Sequence, residues 1–126
     1  MTLDYFYKVN GYGENIVRLY DFDRAEAEKL RLNIQRFIAS GEKLLNLSSL
    51  DFINERNCTL TFRIAEEDEG IITDDEVIFF CDLTKNGFDK MVDLLEPFCK
   101  KETKGYQWLY DLDNPTDLLF SPAGTW

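Results

Sequence analysis

The sequence predicts an α+β domain, and three observations carry that prediction. Segments that alternate apolar and polar residues with a period of two are interleaved with segments of period near 3.6. Two of the latter carry their own start and stop signals. The chain has 126 residues and 44% hydrophobic content, which is enough apolar surface for one core and too much for a disordered chain. The expected architecture is a single domain over residues 1–126. It has a mostly antiparallel, twisted sheet of five to seven strands, with two amphipathic helices, about 24–40 and 85–100, packed on one face.

The elements follow in order. "LDYFYKV" is aromatic and β-branched, "NGYGEN" has turn chemistry, and "IVRLYDF" resumes a strand pattern, so the chain opens with a hairpin. Asp23 stands where an N-cap accepts backbone N–H bonds, Glu26 holds the capping-box position, and Gly41 is placed to stop the helix. Between them Ala27, Leu30, Ile34, Phe37 and Ile38 recur three or four apart and form one apolar stripe. "KLLNLSSLDFI" reads as a strand that turns irregular at Ser48 and Ser49.

"NCTLTFRI" alternates Cys58, Leu60, Phe62 and Ile64 against polar neighbours, and "EVIFFCDL" is continuously apolar, as a central strand would be. Thr84 can cap a second helix whose stripe is Phe88, Met91, Val92, Leu95, Phe98 and Cys99; Pro97 and the Lys100–Lys101 pair mark its end. "GYQWLYDL" reads as a last strand. The tail, residues 113–126, carries Leu118, Leu119, Phe120 and Trp126 and is expected to dock on the domain, completing an edge, or on a neighbouring subunit.

A shift of 61 residues lays "IVRLYDFDRAEAEKLRLNIQRFI" over "VIFFCDLTKNGFDKMVDLLEPFC", matching Asp21 with Asp82, Leu30 with Met91, Ile34 with Leu95 and Phe37 with Phe98. Both stretches read strand, aspartate, cap and amphipathic helix. The expectation is two equivalent helices over the same face of one sheet.

Composition removes several function classes. With no histidine, the chain has no Ser-His-Asp or Cys-His nucleophilic machinery and no His-based zinc site. A net charge of −10 opposes nucleic acid and anionic membranes, because binding to a phosphate backbone needs concentrated Lys and Arg. The start shows no basic segment followed by an apolar run, and no stretch approaches the ~20 apolar residues of a membrane helix. Cys58, Cys81 and Cys99 lie far apart in apolar surroundings, which fits reduced core thiols, and with them a cytoplasmic location.

"AEEDEGIITDDE", residues 65–76, holds seven carboxylates in twelve positions. Glu67, Glu69, Gly70, Ile72 and Glu76 fall where the loop of helix-loop-helix calcium-binding proteins has its third, fifth, sixth, eighth and twelfth residues, and to that extent the segment resembles that loop. It departs at Ala65, which has no side-chain oxygen for the first position, and its flanks read as strands. The segment is expected to be a solvated connection between two antiparallel strands, with Gly70 in the turn and no metal or cofactor. "DLDNPTD", with Asp111, Asp113 and Asp117, reads first as a turn. Asp21 and Asp82 are local turn formers and caps before they are a catalytic pair. No catalytic residue is assigned.

The functional expectation is an acidic interaction protein, an inhibitor of the immunity or antitoxin kind or a regulatory subunit, binding a basic protein. Its contact residues would be Glu66, Glu67, Asp68, Glu69, Asp74, Asp75 and Glu76, with Tyr106, Trp108, Tyr110, Phe120 and Trp126 as aromatic anchors. A homodimer could form through the tail or through the uncovered sheet face. The alternative is a small carboxylate- or thiol-dependent enzyme, or a small-molecule binder with a pocket between helices and sheet.

Overall fold

The computed structural model describes residues 1–6, 15–100, 105–110 and 116–122. In chain order the elements are β1 (Thr2–Phe6), β2 (Asn15–Tyr20), α1 (Arg24–Ser40), β3 (Leu44–Asn46), a 3-10 turn (Leu47–Ser49) and β4 (Asn54–Glu55). Then come β5 (Thr59–Ile64), β6 (Gly70–Thr73), β7 (Ile78–Leu83), α2 (Lys85–Lys100), β8 (Gln107–Trp108) and β9 (Thr116–Ser121).

Both helices lie where the periodicity puts them. Asp23 Oδ1 accepts from the Glu26 amide at 2.9 Å, and Gly41, at φ 77°, closes α1 in the left-handed region. The capping box is only half made, because the Glu26 carboxylate turns instead to the amino group of Met1 at 2.6 Å. Ala27, Leu30, Ile34 and Phe37 are the buried stripe of α1, and Phe88, Met91, Val92, Leu95 and Phe98 that of α2. Pro97 lies inside the last turn of α2, where it forgoes a bond to the Asp93 carbonyl without ending the helix.

The sheet is not the single, mostly antiparallel one expected. The strands form two mixed sheets, one of order β4-β1-β2-β9-β8 and one of order β3-β5-β7-β6. β2 runs parallel to β9 and β5 runs parallel to β7, while β1–β2, β3–β5, β6–β7 and β8–β9 are antiparallel. Local alternation reports which face of a strand is buried and not which strand lies beside it, so the parallel pairs have no signature in sequence.

The pairing is internally symmetric. Exchanging β1 with β6, β2 with β7, α1 with α2, β3 with β8 and β5 with β9 maps one sheet onto the other, apart from the extra edge strand β4. Each sheet takes one hairpin from either half of the chain. The helices obey the 61-residue shift at all four buried positions of α1, Ala27, Leu30, Ile34 and Phe37 matching Phe88, Met91, Leu95 and Phe98. The strands do not. Leu19 is fully buried and its inward counterpart is Cys81, not the half-buried Phe80, so the shift there is 62. The extra residue in the first half is absorbed at Asp21, which sits at φ 55°. Asp21 is exposed and outside β2, whereas Asp82 is buried within β7, so these two aspartates are not equivalents.

One core joins these layers. Leu3, Leu19 and Phe120 enter it from the first sheet, Leu60, Phe62 and Phe79 from the second, and Leu30, Ile34, Phe88 and Leu95 from the helices, which pack on one another. Rings stitch the layers: Tyr5 to Phe79 at 4.7 Å between the sheets, Phe62 to Phe88 at 5.3 Å between sheet and helix, and Phe22 stacked on Phe120 at 4.0 Å. Residues 116–121 are therefore not a tail that completes an edge. They form β9, central in the first sheet between β2 and β8.

Candidate functional site

The acidic segment is not the plain hairpin connection expected of it. Its flanking strands, β5 and β7, are parallel neighbours, and β6 lies inside the segment, on the far side of β7. Residues 65–69 must therefore cross over the end of β7. The Ala65 amide donates to the Leu83 carbonyl at 2.9 Å and the Glu69 amide to the Asp82 carbonyl at 2.9 Å, which pins the crossing. Two strand spacings amount to roughly 10 Å, within reach of five residues.

That crossing brings Asp68 to the start of α2. Its Oδ1 accepts from the Thr84 amide at 2.8 Å and from Thr84 Oγ1 at 2.9 Å, and Thr84 Oγ1 in turn accepts from the Gly87 amide at 3.1 Å. Two of the orphan donors at the helix start are thereby satisfied. The approach is so close that a Cβ on Gly87 would lie 2.6 Å from Asp68 Oδ1 and 3.0 Å from Leu83 Cβ. Gly87 is what lets the loop reach the helix.

Beside this contact lies a half-open cavity of about 340 Å3. Leu83, Leu94, Leu109 and Tyr110 supply its apolar lining; Asp68, Lys90 and Asp93 line it as well, around Gly87. Tyr110 is held by its hydroxyl, which donates to the Thr116 carbonyl, and burial pushes its pKa well above the ordinary phenol range. The volume is at the lower end of the roughly 300–1,000 Å3 of small-ligand sites. It offers room for one long side chain and none for a helix, whose diameter is ~10 Å.

The residues singled out from sequence fall in three places. Glu66, Glu67, Asp68 and Glu69 form the exposed crossing. Asp74, Asp75 and Glu76 form the turn at the other end of β6, about 13 Å away along four strand residues, so the seven carboxylates are two groups and not one patch. Asp75 Oδ1 accepts from the amides of Val77 and Ile78 at 3.0 and 2.9 Å, which hold its carboxyl below the usual range, and Glu76, at φ 58°, accepts from the Tyr5 hydroxyl at 3.0 Å.

Tyr106 is exposed and meets Trp108 edge to face at 5.8 Å. Tyr110 does not continue their stripe, because regular pairing ends at Trp108 and its ring packs against the core. Phe120 is fully buried beneath Phe22 and Phe98 and presents nothing to a partner, which corrects its assignment as an anchor. Trp126, Asp111 and Asp113 lie outside the described residues.

Lys90, Asp93, Leu94 and Leu109 were not anticipated as site residues. A signal existed for part of this. Gly87 sits three residues past a cap, where a helix ordinarily has no use for glycine, and Asp89, Asp93 and Glu96 recur at helical spacing.

The other titratable groups describe a stable scaffold. Arg63 grips Asp82 with two bonds of 2.6 and 2.8 Å and lies over the Phe80 ring, and Arg18 grips Asp4 at 3.2 and 3.0 Å between Phe6 and Tyr20. Burial pushes the Cys58 thiol up to about 12, the Cys99 thiol up to about 11, and the Cys81 thiol higher still. Among the described residues, no group of Asp, Glu and Cys is placed to hold a metal ion, and no helix is long and apolar enough to cross a membrane.

Fold and geometry thus define an α+β domain of two interlocked halves with an acid-rimmed groove at the start of its second helix. No protein-family model, curated protein or solved structure matches the chain.

Proposed function

We propose that the chain is an acidic interaction protein that binds a basic protein partner, as an inhibitor or a regulatory subunit does. The observation that supports this is how the charge is distributed. Arg18, Arg31, Arg63 and Lys100 are each paired with a carboxylate of the same chain, while Glu66, Glu67, Asp74, Asp89 and Asp93 are exposed. Residues 64–84 contain no Lys or Arg and seven of their carboxylates are exposed, so the surplus of acid is concentrated at the crossing loop and at the turn beyond β6, whereas Asp89, Asp93 and Glu96 on α2 are balanced by Lys85, Lys90 and Lys100. A thiol-dependent enzyme has less support, since burial raises the pKa of all three thiols and a thiolate is the reactive species.

The test is affinity capture at low and at moderate salt, comparing the chain with a variant carrying Glu66→Lys, Glu67→Lys and Glu69→Lys. Retention of a basic protein that both the salt and the variant abolish supports the proposal. Capture that neither changes would sink it.

One observation favours a second reading, self-association. On the outer face of the second sheet Ile78 is 47% exposed, with Phe80 and Ile72 half-buried beside it, and Leu44, beyond Arg63 on the edge strand β3, is 55% exposed. Sedimentation of the Ile78→Lys variant against the parent decides it: a dimer dissociated by the substitution supports the reading, and a parent that is monomeric at all concentrations ends it.

A further inference from the structure

The groove beside α2 combines three features that together specify an occupant. Its lining is apolar, from Leu83, Leu94 and the Tyr110 ring; its volume suits one extended side chain; and it carries two carboxylates, Asp68 and Asp93, against one ammonium, Lys90. An anion would meet a net negative rim, and a purely apolar group would use the walls but make no contact with the two exposed carboxylates. A side chain with a methylene stem and a cationic head satisfies both parts, because such chains bury their stems along apolar surface while the head stays at the water boundary.

Asp68 is suited to this in a way that a loop carboxylate ordinarily is not. Both bonds from Thr84 fall on Oδ1, so the side chain is oriented before any ligand arrives while Oδ2 accepts from no described group. Holding a carboxylate in place beforehand removes part of the entropy cost of binding. Asp93 is exposed on the outer side of α2, about two and a half turns beyond Thr84.

We propose that this groove is the anchor site for one arginine or lysine side chain of the basic partner, its stem on Leu83, Leu94 and Tyr110 and its head at the rim that carries Asp68 and Asp93. The inference rests on the basic-partner reading above and makes it specific. The ammonium of Lys90 competes for the same rim, so its removal should strengthen cation binding.

The experiment is an amide chemical-shift titration of the full chain with four blocked single amino acids: the Nα-acetyl amides of arginine, lysine, norleucine and glutamate. A lysine-rich peptide with glycine spacers serves as a fifth probe. Shifts from the arginine or lysine probe should concentrate at Leu83, Gly87, Leu94, Leu109 and Tyr110, and the two arms show which cation is preferred. Asp93→Asn should weaken that binding about threefold and Lys90→Ala should tighten it about threefold, the size of a surface charge contact. Asp68→Asn keeps the Oδ1 acceptor, so the fold is retained while the charge is lost, and with Asp93→Asn the loss should reach about tenfold. Norleucine binding as well as arginine, or glutamate binding better, overturns the inference. Peptide binding that maps to residues 66–69 while the groove stays silent also overturns it, yet leaves the basic-partner reading intact. Silence of all five probes removes both.

Discussion

Replacing Gly87 by alanine should destabilise the protein, the opposite of the usual result in a helix. Alanine is favoured over glycine by up to about 1 kcal/mol within a helix, and by less in a first turn. Against that gain stands the new methyl, 2.6 Å from Asp68 Oδ1 and 3.0 Å from Leu83 Cβ. Leu83 ends β7, and its carbonyl is tied to the Ala65 amide, so it has little freedom to retreat. The carboxylate must move instead, and it cannot do so and keep bonds of 2.8 and 2.9 Å to Thr84. Losing this cap costs about 1–2 kcal/mol, and tightness at Leu83 adds to it, for a net loss of about 1 kcal/mol. Urea unfolding followed by circular dichroism should show the midpoint falling by roughly 0.5 M. Asp68→Ala alone should cost about 1 kcal/mol, and in that background Gly87→Ala should be nearly neutral, because the atom it struck is gone. A stabilised Gly87→Ala variant, or penalties that simply add in the double variant, would mean that the Asp68 carboxylate is not what the new methyl displaces.

Other outcomes follow from the same structure. Asp82 is 8% exposed in the native protein, and Arg63→Ala, which removes both of its bonds, should cost about 2 kcal/mol, with Arg63→Lys recovering only part, as thermal unfolding can measure. In the native protein an aromatic disulfide reagent should modify half-buried Cys99 first, with Cys58 and Cys81 reacting only on unfolding, a sequence that peptide mapping reads directly. The raised thiol of Cys58 also fixes a pH dependence. Above its ordinary value near 9.0 the unfolded chain ionises and the folded chain does not, so stability present below pH 9 is lost as pH rises toward about 12. Cys58→Ala should flatten that decline in denaturant midpoints, and an unchanged slope would contradict the cause.

What could be read from sequence was what depends on neighbours three or four residues away. Both helices, their caps at Asp23 and Thr84 and their buried stripes are local properties, and each is found where periodicity puts it. The strands show the limit. Leu60 and Phe62 announce a buried face, but nothing in "TLTFRI" says that its neighbour is "IFFCDL" in parallel and not in antiparallel. β6 was hidden for another reason: "GIIT" is four residues among carboxylates, and charge drew the reading to solvent although Gly70 and Ile71 are buried. Phe120 lies near the chain end, where an apolar run can equally well be an exposed anchor or a strand, and only its place in β9 shows that it is buried. The groove draws on Asp68, Gly87 and Leu109, which are remote in sequence and meet only because the loop crosses β7.

Under the proposed function, outward acid on the chain steers a basic partner to it. The most direct measurement is the association rate constant with the captured partner, by stopped flow, across a series of ionic strengths. Electrostatic steering predicts a rate that falls tenfold or more from low to high salt while the dissociation rate changes little. An association rate that is flat across the series would contradict the claim.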